Sequence, residues 1–333
     1  MKILYAIQGT GNGHISRARD FIPLLEKKAD VDILISGTQF DVQLPHSIRY
    51  KFRGASFIFG KEGGVDYWET FKQLRPHTFI NDIRRLKLSQ YDLILNDFEP
   101  VSAWAGKLKG REVLALSHQS AFLSKNTPRP PFDNKFAEGL FNHYAPSTKQ
   151  IAFHFEKYDE FIHTPIIRRE IRKLTPTNNG HYTVYLPAYD DKLLIKYLSA
   201  FENTSWQIFS KHEKTGYTVR NIEVKPINNE QYNISVASCE GLLTGAGFEA
   251  PAEALFLGKK ILVVPMAGQY EQACNAESLK RMGNKVIDAI NEKTVPILNE
   301  WLNTKDIVKV DFPDNIEEIV ELVINNIGNK LQK

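Results

Sequence analysis

Apolar residues follow two alternating rhythms along this chain. Short β-branched runs at Ile3 to Ile7, Val31 to Ile35, Asp92 to Asn96 and Glu112 to Ser117 have strand length. Between them, apolar residues recur at helical spacing over His14 to Lys28, about Trp68 to Leu88, and Val101 to Lys109. This alternation predicts βαβ units around a largely parallel sheet. The rhythm breaks from Ser147 to Asn179, where Thr164-Pro165, the basic cluster Arg168 to Lys173, Thr175-Pro176 and Asn178-Asn179-Gly180 punctuate the chain. It then resumes with strands at Tyr182 to Leu186, Trp206 to Phe209, Ile222 to Val224, Gly241 to Thr244 and Lys260 to Val264, and with helices at Asp190 to Phe201 and through Leu257. After Pro313, Ile316, Ile319, Val320, Val323 and Ile324 share one face of a helix running from Asn315 to about Ile327. The expected architecture is α/β, with two doubly wound Rossmann-like domains, residues 1–164 and 165–313, facing a cleft. A terminal helix within 314–333 is expected to cross back to the first domain.

Composition narrows the field. A chain of 333 residues suits two domains of about 150 residues, and 42% hydrophobic with 24% charged residues can fill two cores. A net charge of +3 is far from the concentrated basicity of a dedicated nucleic-acid binder, so no nucleic-acid partner is expected. Cys239 and Cys274 lie in unrelated segments without metal or redox spacing, which suits a reducing, cytoplasmic setting. The run MKILYAI stops at Gly9, too short for a signal peptide, and no stretch of about 18 uninterrupted apolar residues occurs. Membrane contact is therefore expected to be peripheral, at the inner face.

The candidate chemistry begins after the first strand. Gly9-Thr10-Gly11-Asn12-Gly13-His14 opens the first helix, where free backbone N–H groups can receive an oxygen-rich ligand, so Gly11, Asn12 and Gly13 are candidates for acceptor binding. The spacing is G-x-G-x-G rather than the G-x-G-x-x-G of a dinucleotide site, which weakens a nicotinamide reading. His14 stands at a helix N-terminus, where the dipole favours the neutral, proton-accepting imidazole, and is a candidate general base; a loop-bracing role is the alternative. Asp97 and Glu99 follow a buried-looking strand and could orient His14 or act as the base, or simply cap the helix that Pro100 begins. His118 and Gln119 end the next strand and are candidate acceptor contacts.

In the second half, Gly245-Ala246-Gly247 follows a strand and leads into a helix containing Glu253, and Gly268-Gln269-Tyr270-Glu271-Gln272 follows the next strand, reading as a loop of carboxylate and amide groups suited to sugar hydroxyls. Together with the 9–14 loop, these segments closely resemble the donor site of GT-B glycosyltransferases. The likeness is strongest to the family 28 group of the peptidoglycan lipid-linked N-acetylglucosaminyltransferase and the diacylglycerol glycosyltransferases, and its motifs cover roughly residues 241 to 283.

The resemblance implies that Gly245, Ala246 and Gly247 approach a donor diphosphate and that Glu253 holds the ribose. Phe248 to Ala252 makes the spacing about two residues longer than the family pattern, so Glu249 competes with Glu253. Glu271 and Gln272 would meet the donor sugar, with Gln269 of the same polar loop a further candidate from its amide alone, and His14 falls on the family's loop histidine. Lys211 is placed near the nucleotide by position alone. Leu186-Pro187-Ala188-Tyr189 stands where many relatives carry a Gly-rich loop. No D-x-D pair flanks a strand end in this half, so no metal and no cofactor beyond the nucleotide-sugar substrate are expected. Phe57-Ile58-Phe59, with Arg84, Arg85 and Lys87 nearby in sequence, would suit a lipid-phosphate or anionic-membrane partner. The expected activity is inverting transfer from a nucleotide donor, uridine-linked by resemblance, to a hydroxyl acceptor, for which a lipid or cell-envelope precursor is one option. A nucleotide-sugar 2-epimerase and a non-catalytic nucleotide-sugar-binding regulator are the rival readings.

Overall fold

The computed structural model describes residues 1–10, 13–39, 44–54, 76–132 and 134–331. Gly11, Asn12 and the Phe57-Ile58-Phe59 segment lie outside the described residues, as does the first part of the helix expected from Trp68.

The first sheet holds β1 (Lys2–Thr10), β2 (Asp30–Gln39), β3 (Ile48–Phe52), β4 (Leu93–Asp97), β5 (Val113–Ser117), β6 (Lys149–Phe153) and β7 (Ile162–His163), in the order β3-β2-β1-β4-β5-β6-β7 and parallel throughout. Its helices are α1 (Gly13–Glu26), α2 (Pro76–Arg85), α3 (Pro100–Leu108) and α4 (Lys135–Tyr144). A short helix, α5 (Arg169–Arg172), precedes the second sheet. That sheet comprises β8 (His181–Tyr185), β9 (Ser205–Ser210), β10 (Tyr217–Val219), β11 (Ile222–Pro226), β12 (Gly241–Gly245), β13 (Lys260–Val264) and β14 (Lys285–Val286). Its order is β10-β11-β9-β8-β12-β13-β14, parallel except for the β10–β11 hairpin. Its helices are α6 (Asp191–Leu198), α7 (Asn229–Ser238), α8 (Glu249–Phe256), α9 (Tyr270–Arg281) and α10 (Val295–Asn303), and α11 (Ile316–Leu331) follows.

Every residue of β4, β5 and β13 is buried, as expected of parallel strands covered by helices on both faces. One apolar cluster runs from Phe21, Phe153 and Phe155 of the first half to Phe248, Ala252 and Leu255 of the second, so the two sheets are joined through an apolar contact. Ile316, Ile319, Val320 and Val323 of α11 enter this cluster, and Lys28 at the end of α1 pairs with Glu321.

The stretch from Ser147 to Asn179 is more ordered than its sequence suggests. Its β6 is drawn into register by β5, with Ser117 opposite Ala152, and β7 adds to its edge. Both are too short for hydrophobic periodicity to reveal; the neighbouring strand organises them.

Candidate active site

Parallel pairing brings the chemistry to the C-terminal strand ends. Ile7 of β1 pairs with Asp97 of β4, which sets that carboxylate beside the start of α1. His14, in the first turn of α1, places Nδ1 2.7 Å from Asp97 Oδ1. A carboxylate only accepts, so Nδ1 carries the hydrogen and Nε2 is left as the proton-accepting nitrogen. That Nε2 lies 3.4 Å from Gln119 Nε2, whose amide also reaches Glu271 of the second domain, and the ring keeps 12% exposure.

Arg17 lies three residues along the same helix face as His14. It is 4% exposed and donates from Nη2 to both oxygens of Asp97, at 2.7 and 2.9 Å. Its Nη1 donates to Glu249 Oε1 of the second domain at 2.7 Å. Burial works against ionised Asp97, but the Arg17 guanidinium and His14 outweigh it and hold the carboxyl below its ordinary value. Gly13 permits the approach of the domains, since a Cβ there would stand 3.2 Å from Glu249 Cγ.

Glu99 does not join this group. It caps α3, accepting from the backbone N–H of Val101 at 2.7 Å and of Ser102 at 2.6 Å, and it is fully buried. Both carboxylate oxygens are engaged by the helix end, which removes Glu99 as a base candidate. Between the two acids Phe98 adopts φ 56°, a strained conformation for a non-glycine residue, with its ring against Tyr144 and Phe141 at centroid distances of 4.7 and 5.3 Å.

Across the cleft, β12 delivers Gly245 beside Val264 of β13. The bend at 245–247 is open on one side: Gly245 and Gly247 line a cavity of about 130 Å³ with Tyr185, Pro187, Tyr189, Met266 and Gln272. A Cβ on Gly247 would meet nothing within 4 Å. The Ala246 side chain, by contrast, is fully buried and its carbonyl accepts from Asn275 Nδ2 at 3.1 Å, so of this residue only the backbone N–H remains for a ligand.

The segment carrying Glu271 and Gln272 is a helix, not the loop its polar residues suggest. Gly268 turns the chain at φ 74°, and α9 begins two residues later with Tyr270, Cys274 and Ser278 buried at helical spacing. Glu271 is raised above its ordinary value by burial, only partly offset by His14, Gln119 and Arg17. Gln119 Nε2 reaches its oxygens at 3.3 and 3.4 Å, and Gln119 Oε1 is buried without a hydrogen-bond partner among the described residues. Gln272 Oε1 accepts from the Met266 N–H at 2.9 Å, and buried Gln269 Oε1 has no partner among the described residues.

Three candidates fall elsewhere. His118 is 1% exposed, held between the Phe153 carbonyl and Asn275 Oδ1, each at 2.9 Å, and stacked on Phe248 at 3.9 Å. Burial pushes it down to about 3, and this packing withholds it from an acceptor while making it an interdomain contact. Glu253 is gripped by Arg168, whose Nη2 donates to Oε2 at 2.7 Å and whose Nε also bonds it. Lys211 is exposed beyond β9, two strands from the bend, and does not line the cavity.

Sequence reasoning missed Arg17 and the role of Arg168. The signal for Arg17 was its i+3 spacing from His14; Arg168 stood in a basic cluster with nothing in sequence to show which side chain turns inward.

A family model described as Glycosyl transferase family 1 matches residues 1–302. No curated protein matches the chain. Among solved structures, a MurG from Acinetobacter baumannii is similar at 14% identity with a TM-score of 0.54, over 98% of this chain and 99% of that one. The Arabidopsis thaliana UGT89C1 complexed with UDP is similar at 14% identity and TM-score 0.54, over 98% and 95% of the two chains. A UDP-N-acetylglucosamine 2-epimerase is similar at 11% identity and TM-score 0.59, over 99% and 97%. At such identities the likeness concerns the fold.

Proposed function

We propose, from the premise that this chain belongs to glycosyl transferase family 1 and is a glycosyltransferase of the GT-B fold, that it moves a sugar from a nucleotide donor to a hydroxyl acceptor with inversion and without a metal. One observation supports the reading: the His14 imidazole, oriented by Asp97 at 2.7 Å, presents its second nitrogen to the Gln119 amide, which also reaches Glu271 of the second domain. In the proposed reaction the acceptor oxygen attacks C1 of the sugar while His14 Nε2 takes its proton. The bond from C1 to the phosphate oxygen breaks on the opposite face, and the nucleoside diphosphate leaves with the electron pair. Asp97 stabilises the imidazolium so formed, as an orienting carboxylate does in other His-based catalysts. Backbone N–H groups of the 245–247 bend and the start of α8 would receive the diphosphate charge, which is why no metal is needed.

A uridine diphosphate donor is the first choice, because similar folds are known complexed with UDP and with UDP-L-rhamnose. Glu271 and Gln272 would read the sugar and Glu249 the ribose, since both oxygens of Glu253 are engaged by Arg168. The resemblance to lipid-linked transferases makes a lipid hydroxyl the first acceptor to try. Among the described residues no helix is long and apolar enough to cross a membrane, so contact with such an acceptor would be peripheral, a point that co-sedimentation with anionic vesicles tests.

A thermal-shift screen of nucleotide sugars identifies the donor, since a ligand specific to the folded state raises stability by mass action. With that donor, His14→Ala should lower kcat about 10²- to 10⁴-fold, the usual worth of a general base, and leave donor affinity intact. Full turnover by His14→Ala would remove the base assignment. Conversion of donor without acceptor would favour an epimerase, binding without acceptor-dependent nucleotide release a regulator, and loss of transfer in EDTA a metal-dependent mechanism.

A further inference from the structure

Arg17 bonds both Asp97 of the base machinery and Glu249 of the donor domain and, unlike Gln119, which also bridges the two halves between His14 and Glu271, it carries a charge. Its guanidinium spans Asp97 of β4 and Glu249 of α8, with 2.7 Å contacts to each, and it is almost wholly enclosed. A buried cation shared by two carboxylates belongs fully to neither. We infer that Arg17 is a positioning residue that makes the proton affinity of His14 depend on contact with the donor domain: Glu249 draws part of the guanidinium charge away from Asp97, leaving Asp97 free to stabilise the His14 imidazolium.

When Glu249 is absent or neutral, Arg17 serves Asp97 alone and its positive charge opposes protonation of the imidazole three residues before it. The base then works at full strength only when the second domain, which carries the donor, is seated. This coupling disfavours activation of a hydroxyl or water before the donor site is assembled. The inference rests on His14 being the base.

The surroundings of His14 support it. The titratable groups facing it are Asp97 from β4, Arg17 from its own helix, Glu249 from α8, Glu271 from α9, His118 from the turn after β5, and Tyr5 beneath Asp97 on β1. Of the two carboxylates of the second domain, only Glu249 reaches Arg17 within hydrogen-bond distance, because Glu271 points to Gln119. Burial, reinforced by Glu253 and opposed by Arg17, pushes Glu249 up to about 7, so its charge is itself conditional near neutrality.

The test is the pH dependence of kcat/KM in the full-length enzyme, read beside the NMR titration of the His14 ring, which needs no turnover. Glu249→Gln leaves Asp97 as the one carboxylate bonded to Arg17 among the described residues. It should move the acidic limb and the ring titration to lower pH by about half a unit or more, and lower the plateau rate as the base weakens. The double variant Arg17→Met with Glu249→Gln removes both charges and should return the ring titration toward or above the wild-type midpoint. A uniform loss of rate in Glu249→Gln, with limb and ring titration unmoved, overturns the coupling and leaves Glu249 a plain donor contact. If either variant fails to fold, Glu249→Asp, which retains the charge but withdraws it from Arg17, must produce a smaller shift in the same direction. Turnover that survives His14→Ala would instead discard the base assignment, and the ring titration would still report on the coupling.

Discussion

Two arginines, Arg17 buried and Arg168 largely so, hold successive turns of the same helix, and they differ in what lies behind them. Arg17 takes Glu249 and Arg168 takes Glu253, residues four apart on α8. Behind Arg168 stand Glu170 and Asn229, both exposed, and Asn233. Behind Arg17 stands Asp97, and behind Asp97 the imidazole of His14. Buried ion pairs rarely add net stability over apolar packing, but removing one partner is costly. The same chemistry therefore fastens a domain junction in one place and adjoins the proposed base in the other, and only the third residue in each chain of contacts tells them apart.

That contrast can be broken most severely at Arg17. Arg17→Ala should lower the transfer rate of the folded enzyme by about 10³-fold, because Asp97 and Glu249 lose their shared cation and His14 its fixed partner; kcat at saturating donor is the measurement. A loss smaller than that caused by Arg168→Ala would reverse the comparison. Arg168→Ala should instead cost about 3 kcal/mol of stability, as expected when a buried carboxylate is left unpaired, and raise donor KM more than it lowers kcat. Denaturant titration paired with steady-state kinetics separates the two.

A gentler probe is pH. Glu249 sits at about 7 in the folded protein against a usual 4.5, so the folded state binds this proton more tightly than the unfolded chain. Its contribution is fully present below pH 4.5 and is lost as pH rises through about 7. Asp97, held below its ordinary value, has the opposite sign: its contribution exists at neutral pH and disappears on strong acidification. Wild type should thus lose stability between about pH 5 and 8 relative to Glu249→Gln, and chemical denaturation across that range measures it. The smallest effect on folding should come from Gly247→Ala, whose methyl meets no atom within 4 Å. Its stability should change by less than about 0.5 kcal/mol while donor KM rises, because the methyl projects into the space assigned to the diphosphate.

Much of this was readable beforehand. Alternating strand and helix periods announced the α/β class, because a parallel strand covered on both faces must be apolar and its crossover helix amphipathic. The loop at 9–14 and the bend at 245–247 were conspicuous, because glycines in a strand-to-helix turn stand out against any background. The short strands β6 and β7 were not visible, since pairing with β5 rather than their own periodicity makes them strands.

Local pattern along the chain was thus enough for the class of fold, for its two sheets and for the loops at which their strands end. Asp97 and Glu99 show where it stops. Both are acids two positions apart at a strand end, and one orients the imidazole while the other caps a helix. His118 looked like a contact for substrate and is instead packed against Phe248 and Asn275. Which acid meets the imidazole, which histidine is buried and which arginine crosses the cleft depend on partners 80 to 232 residues away in sequence, brought close only by packing. A side chain's role follows from the field and the hydrogen-bond partners around it, and those are properties of the folded assembly.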